Sequence, residues 1–202
     1  LGESQAAYLA KCVRDRQNLF ICGGTGTGKT TFLNILSSCI PQGERVVTIE
    51  DSAELRIQGS PNLVRLEART PGPDGTGEIG LEDLVRTAMR LRPDRIIVGE
   101  VRGSEAAAML QALNTGHRGS LCTGHGNSCR DMLLRLAALA HTAAGLPYSS
   151  LLRQVGTAVD LVIHMERLPD GRRVVDEIRL VHPDEEHGFR LEPVPVTGGC
   201  PL

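Results

Sequence analysis

Residues 23–31 of this chain are Gly23-Gly24-Thr25-Gly26-Thr27-Gly28-Lys29-Thr30-Thr31. The first eight match G-x-x-x-x-G-K-[ST], a loop whose glycines let backbone amides point inward at phosphate groups. A short apolar run over residues 18–22 precedes the motif, and residues 29–40 follow it with the spacing of a helix. Such a loop at a helix N-terminus favours a bound anion, because the unpaired amides and the helix dipole both attract negative charge. The stretch therefore predicts a nucleotide-binding loop in an α/β domain.

The last residues of the loop have specific expected roles. Lys29 is expected to reach the β- and γ-phosphates of ATP, and Thr30 to ligate Mg²⁺. The alternative is a glycine-rich turn without a ligand. That alternative is disfavoured because Lys11 and Lys29 are the only lysines, so a chance match to the motif is rare. The expected nucleotide-binding residues are Gly23, Gly24, Thr25, Gly26, Thr27, Gly28, Lys29, Thr30 and Thr31.

Strand-like and helix-like segments alternate along most of the chain. Short apolar, β-branched runs are typical of buried parallel strands, and periodic apolar stripes are typical of amphipathic helices. Two later apolar runs, 161–165 and 174–181, flank Asp170-Gly171, which is a hairpin signal. The pattern predicts an α/β fold with a mostly parallel sheet flanked by helices and an antiparallel β-hairpin towards the C-terminus. Strands are expected at 18–22, 45–50, 63–66, 96–98 and 119–123, and helices at 3–16, 29–40, 81–91, 104–114 and 131–144.

The composition is that of an ordinary globular protein. The chain has 202 residues, of which 41% are hydrophobic and 23% charged, so disorder is excluded and one or two domains are expected. A net charge of −2 and 2% aromatic residues give no basis for a nucleic-acid surface, so no direct nucleic-acid contact is expected. Six cysteines without a C-x-x-C pair predict neither a zinc site nor a disulfide framework. No run predicts a transmembrane segment, since the longest uncharged stretch, 136–152, is interrupted by His141, Gly145 and Pro147.

Acidic residues follow two of the predicted strands. Glu50 closes the strand at 45–50, and Glu100 comes directly after the strand at 96–98 and Gly99. Ligands of an open α/β sheet bind at the carboxyl ends of its strands, so these carboxylates are expected near the phosphates, where they can hold Mg²⁺ or orient water. His125 follows another predicted strand and could contact the γ-phosphate. The alternatives are solvated acids at strand ends and a surface histidine.

Four blocks of this sequence resemble the motifs of the secretion ATPases, the superfamily that drives type II and type IV secretion and assembles type IV pili. They look like its Walker A, Asp box, Walker B and His box, in that order. The third block and residues 77–92 look closest to the tight-adherence (Flp) pilus branch. The resemblance covers roughly residues 3–180. The blocks are GGTGTGKT (23–30), TIEDSAEL (48–55), RPDRIIVGEVRG (92–103) and the stretch from TGH (115–117) to HGNS (125–128).

The resemblance implies a RecA-like ATPase domain and assigns roles in it. Glu50 matches the acid thought to position the attacking water, Glu100 the Walker B acid near Mg²⁺, and His125 the histidine near the γ-phosphate. Arg65 and Arg69 lie where the family carries arginines that can serve neighbouring subunits, although a surface salt bridge is the alternative for each. The expected catalytic residues are Glu50, Glu100, His125, Arg65 and Arg69, with Mg²⁺ held by Thr30 and Glu100 partly through water.

Three features depart from the family's pattern. The His box has Gly126 where the family usually has alanine, which adds backbone freedom, and Arg118 stands where an acid is common. The family also carries an N-terminal domain that closes over the nucleotide, and nothing here matches it. The start at Leu1-Gly2 without Met suggests a piece of a longer protein. Residues 1–192 are expected to form the C-terminal ATPase domain and residues 193–202 a loose tail.

The expected function is ATP hydrolysis that powers pilus assembly or protein secretion across the bacterial envelope. The resemblance implies a homohexamer on the cytoplasmic face of the inner membrane, bound to a membrane platform protein. Two alternatives stay open: a nucleotide-gated assembly module with little turnover, and a RecA-like nucleic-acid translocase.

Overall fold

The computed structural model describes residues 1–194. The helices are α1 (Glu3–Arg14), α2 (Lys29–Ser37), α3 (Leu81–Arg90), α4 (Glu105–Asn114), α5 (Cys129–Ala144) and α6 (Tyr148–Ala158). The strands are β1 (Leu19–Gly23), β2 (Val46–Glu50), β3 (Leu63–Glu67), β4 (Arg95–Val101), β5 (Leu121–Gly124), β6 (Leu161–Arg167), β7 (Arg173–Asp184) and β8 (Gly188–Pro193). Pro193 ends β8, and of the tail expected at 193–202 all but Pro193 and Val194 lies outside the described residues.

All eight strands belong to one sheet, in the order β3-β2-β4-β5-β1-β6-β7-β8. The first six in that order run parallel, whereas β7 is antiparallel to β6 and β8 is antiparallel to β7. The predicted fold class, a mostly parallel sheet with an antiparallel end, is therefore confirmed. The central strands are mostly apolar because both of their faces are covered: every residue of β1 and β2 is buried, and Thr48 and Glu50 are the polar residues among them.

Helices cover the sheet on both faces and make two hydrophobic cores. On one face, α1 and α2 pack residues such as Leu9 and Leu33 against β1. On the other face, α3, α4, α5 and α6 contribute residues such as Met109, Leu133 and Val155. None of the helices within residues 1–194 is long and apolar enough to cross a membrane.

The predicted hairpin is present, and two further elements lie around it. β6 and β7 pair antiparallel across the Asp170-Gly171 turn, as expected. The sequence pattern did not predict β8 and α6, which pack against each other. At their contact, a Cβ added to Gly156 would lie 3.1 Å from Phe189 Cβ and against the Gly188 carbonyl. The close approach of α6 to β8 therefore requires glycine at 156.

The carboxyl ends of the parallel strands bring the expected site residues to one edge of the sheet. β1 ends at Gly23 and β2 at Glu50, while Glu100 lies near the end of β4. The pairing of β4 with β5 shifts register between Val98 and Val101, so β4 carries one extra residue there. Such a bulge bends the strand and re-aims its side chains, which fits the position of Glu100 inside it.

Candidate nucleotide-binding site

The glycine loop encloses the ammonium of Lys29. Lys29 Nζ donates to the carbonyl oxygens of Gly23 at 3.1 Å and Gly24 at 2.9 Å. Thr27 Oγ1 donates to the same Gly24 carbonyl at 2.9 Å, which closes the turn. Gly28 precedes α2 with φ of +93°, a backbone conformation that favours glycine. The loop is therefore held in a curled conformation at the N-terminus of α2.

In the described part of the chain, Lys29 has no carboxylate partner. Its side chain is buried, and within residues 1–194 it makes no salt bridge. Burial lowers the pKa of Lys29, while the charge of Glu100 opposes that shift. A buried ammonium bonded to neutral carbonyls is stabilised by an added anion. The position therefore fits a nucleotide phosphate.

Glu50 is fixed on the neighbouring strand β2. Its side chain is buried, with the residue only 5% exposed. Glu50 Oε1 accepts hydrogen bonds from the backbone amides of Glu54 at 2.8 Å and Leu55 at 2.7 Å. Gly99 on β4 leaves room for it, since a Cβ there would lie 3.2 Å from Glu50 Cγ. The carboxylate is held in one orientation before any ligand binds.

Glu100 and His125 form a pair between adjacent strands. His125 Nε2 lies 2.7 Å from Glu100 Oε1, and the two side chains are 36% and 35% exposed. The hydroxyl of Thr123 donates to the Gly99 carbonyl at 2.5 Å, which ties β5 to the bulge that carries Glu100. The pair can therefore be reached by a ligand while its backbone is fixed.

Glu50, Glu100 and His125 line one cavity of about 270 Å³ together with the phosphate loop. The structure thus brings together Lys29, Thr30, Glu50, Glu100 and His125 from four different elements and their following loops. Asp51 and Arg102, which pair with each other, lie at the same cavity. The full lining is Thr25, Gly26, Lys29, Thr30, Glu50, Asp51, Ser52, Glu54, Gly99, Glu100, Arg102, Thr123 and His125.

The donor set fits a magnesium ion that is shared with a nucleotide. Thr30 and Glu100 offer oxygen ligands in the same cavity, and oxygen is the ligand type that Mg²⁺ prefers. Within residues 1–194, no group of three or more His, Cys, Asp or Glu side chains could hold a metal ion alone. Mg²⁺ commonly keeps waters and binds through one or two protein ligands plus phosphate oxygens. Thr30 and Glu100 therefore fit a Mg²⁺ ion whose remaining ligands are phosphate oxygens and waters.

Arg65 and Arg69 lie outside the cavity that holds the other expected site residues. Both are exposed, Arg65 on the edge strand β3 and Arg69 just after it. Arg65 Nη1 lies 3.5 Å from the Leu55 carbonyl, and Arg69 Nε donates to the Gly77 carbonyl at 2.6 Å. Neither is among the residues that line the cavities around the phosphate loop.

Arg173 is a residue of the site that the sequence reading missed. It begins β7, and its Nε donates to the Gly26 carbonyl at 2.9 Å. With Met165 and residues of α2 it lines a second cavity of about 560 Å³ beside the loop. The only available signal was its place next to the predicted Asp170-Gly171 turn, which does not reveal what the hairpin packs on.

Gly126 has a different role from the one expected. A Cβ added there would lie 2.9 Å from Met132 Cβ and 3.0 Å from Met132 Cα. The glycine therefore lets the loop after His125 approach the first turns of α5 closely. Its φ is not positive, so close approach rather than backbone freedom explains the residue.

Comparisons with known proteins identify the family that this chain is similar to. A family model described as type II/IV secretion system protein matches residues 1–170. A putative conjugal transfer protein of Mycobacterium tuberculosis is 43% identical over 185 residues, which is 92% of this chain and 52% of that protein. The type IV secretion system protein PtlH of Bordetella pertussis is 39% identical over 175 residues, which is 84% of this chain and 52% of that protein. The chain spans about half the length of these relatives.

A solved structure extends the similarity to the fold. The VirB11 ATPase of the Brucella suis type IV secretion system superposes with a TM-score of 0.78 at 31% identity, over 87% of this chain and 52% of that one. The mostly parallel α/β fold described above is therefore similar to that of a RecA-like secretion ATPase.

Proposed function

The chain belongs to the type II/IV secretion system protein family, and from this premise we propose that it is an ATP-hydrolysing motor domain. The work proposed for it is protein transport across the bacterial envelope or assembly of a pilus. The relatives are described as a putative conjugal transfer protein and a type IV secretion system protein, which favours transport. The tight-adherence pilus branch stays a prediction from the sequence.

One observation carries the proposal: the phosphate loop, Glu50 and the Glu100–His125 pair meet at a single cavity. A loop that only bound nucleotide would need Lys29 and the loop amides. It would not need a buried carboxylate held in one orientation beside an acid–histidine pair. The extra groups are those that phosphoryl transfer to water requires.

In the proposed mechanism, Lys29 and the loop amides bind the phosphates of ATP. The Lys29 ammonium leaves the carbonyls of Gly23 and Gly24 and gains a phosphate partner. Because the burial that lowers its pKa disfavours an unpaired ammonium, the phosphate charge also stabilises its protonated form.

Glu50 positions the attacking water. Its Oε1 is occupied by two backbone amides, whereas Oε2 has no hydrogen-bond partner within residues 1–194. Oε2 is therefore the atom that can accept a hydrogen bond from a water and orient it. Thr30 and Glu100 would hold Mg²⁺, which supplies charge neutralisation at the phosphates.

His125 links the state of the nucleotide to the fold. Its Nε2 bonds Glu100, and the loop that follows it enters α5 at Cys129. A ligand that competes for either member of the pair changes this bond. The change is then passed to α5, because packed helices shift as units rather than deform gradually.

We propose that the site is completed in a homohexamer. Arg65 and Arg69 are exposed at the β3 edge, outside the cavities of their own chain, so they are available to a neighbouring subunit. An arginine supplied in this way accelerates related phosphoryl transfers by about 10³–10⁵. The ring is proposed to lie on the cytoplasmic face of the inner membrane against a platform protein, without direct contact to nucleic acid.

The proposal is tested with the only two lysines of the chain. Lys29→Ala should abolish binding of Mg-ATP, measured by fluorescence titration, because it removes the ammonium at the phosphate position. Lys11→Ala is the matched control, since Lys11 on α1 is exposed and, within residues 1–194, pairs only with Asp15, the residue that follows the helix. Equal ATP affinity of the two variants would refute the assignment of the site.

A further inference from the structure

We propose that Arg173 binds a phosphate group of the nucleotide, as a cationic contact supplied by the β6–β7 hairpin. The inference rests on the proposed function, because it adds a contact to the same site.

Arg173 is attached to the phosphate loop at two points. Its Nε donates to the Gly26 carbonyl at 2.9 Å, across 147 residues of sequence. Its aliphatic stem lies against Gly28, where an added Cβ would be 3.0 Å from Arg173 Cδ. These contacts fix the position of the guanidinium beside the loop.

The remaining nitrogens of Arg173 are uncommitted. Within residues 1–194, Nη1 and Nη2 make no hydrogen bond, and no carboxylate oxygen lies within 4.0 Å of the guanidinium. Arg172 and Arg179 of the same hairpin differ, because they pair with Asp170 at 2.7 Å and with Glu177 at 2.6 Å, whereas Arg167, opposite Arg173 on β6, also has no carboxylate partner within residues 1–194. Arg173 therefore has a full charge and two donor groups available to a ligand.

The second cavity places Arg173 where a nucleotide can reach it. Arg173 lines this space of about 560 Å³ together with Lys29, Thr30 and Thr31, the residues at the start of α2. The guanidinium is planar and presents parallel donors that match phosphate oxygens. Phe32, Ile35, Met165 and Glu54 line the cavity as well. The contacts of Arg173 with Gly26 and Gly28 of the phosphate loop are what favour a phosphate rather than the base as its partner.

The test measures affinity for two probes in the full chain. Fluorescent mant-ADP reports nucleotide binding, and its displacement by tripolyphosphate reports binding of phosphates without sugar or base. The variants are Arg173→Gln and Arg173→Lys, with Arg172→Gln as the matched control one residue away. All four proteins are first compared by thermal unfolding, and an exposed arginine is expected to leave the midpoint unchanged.

Arg173→Gln should weaken both mant-ADP and tripolyphosphate by about tenfold, the loss expected for one charge-assisted hydrogen bond. Arg173→Lys should recover part of both affinities because it keeps the charge. Arg172→Gln should change neither by more than about twofold, as for other exposed ion pairs.

Three results would overturn the inference. They are unchanged affinity in Arg173→Gln, loss of mant-ADP affinity with tripolyphosphate unaffected, and a lysine variant no better than glutamine. If the unaltered chain binds neither probe, the proposed function itself fails, and the inference fails with it. If the unaltered chain binds both probes and Arg173→Gln binds them equally well, the inference alone fails and the proposed function stands.

Discussion

At the scale of single residues, the catalytic hypothesis depends on Glu50. Two backbone amides hold Oε1, so the charge of this buried carboxylate is already stabilised before a ligand binds. Glutamine has the same shape and an oxygen that can accept the same two hydrogen bonds. It lacks the negative charge needed to draw a proton from water.

Glu50→Gln should therefore keep ATP affinity within about threefold while lowering the rate of ATP hydrolysis by at least about 10²-fold, the usual contribution of a general base. Steady-state phosphate release and mant-ATP titration on the same samples separate the two effects. Glu67→Gln is the control, since Glu67 is an exposed residue of β3. A Glu50→Gln variant that hydrolyses ATP at the normal rate would exclude Glu50 as the residue that activates water.

The place of the acids at the site was predictable from the sequence, whereas the place of Arg173 beside the phosphate loop was not. Glu50 and Glu100 end or follow runs of apolar residues, so the sequence itself places them at the carboxyl edge of a parallel sheet. The contact of Arg173 with Gly26 depends on how the hairpin folds back over the loop, and the two residues are 147 positions apart. No local pattern records such a contact.

At the scale of elements, α6 and β8 close the antiparallel end of the sheet. Gly156 of α6 faces Gly188 and Phe189 of β8 so closely that no side chain fits between them. Overpacking at a buried contact forces the elements apart and typically destabilises a fold by about 1–3 kcal/mol.

Gly156→Ala should accordingly lower the free energy of unfolding by about 1–3 kcal/mol, measured by urea denaturation. The control is Gly43→Ala, because nothing lies within 4 Å of a Cβ added at Gly43 and its φ is not positive. That control is expected to be neutral or slightly stabilising. Equal unfolding midpoints for the two variants would mean that α6 and β8 do not pack as described.

The elements missed from the sequence are those with weak local signals. α6 contains two serines, a glycine and a threonine in eleven residues, so its propensity is poor and its packing against α5 and β8 stabilises it. β8 is a six-residue edge strand with Arg190 and Glu192 on it, and it forms by pairing with β7. The buried strands β1, β2 and β4 were predicted because parallel strands covered on both faces contain short apolar runs, here followed by an acid in β2 and β4.

At the scale of the whole molecule, the strand order explains why some of the expected site residues line the cavity whereas others lie apart from it. β4, β5 and β1 are neighbours at the centre, so Glu100, His125 and the phosphate loop meet there, with Glu50 on the adjoining β2. β3 lies at the edge, and this sets Arg65 apart from the cavity. The sequence predicts which residues follow strands, but the order of the strands comes from tertiary packing.

The central claim is that this chain hydrolyses ATP at sites completed by neighbouring copies. The most direct measurement is the Mg-ATP hydrolysis rate per subunit over a wide range of protein concentration, for the unaltered chain and for Glu50→Gln. We expect the rate per subunit of the unaltered chain to rise with concentration, and that of Glu50→Gln to stay near zero throughout. A chain that binds ATP yet hydrolyses it no faster than Glu50→Gln at every concentration would contradict the account and favour a nucleotide-gated assembly module.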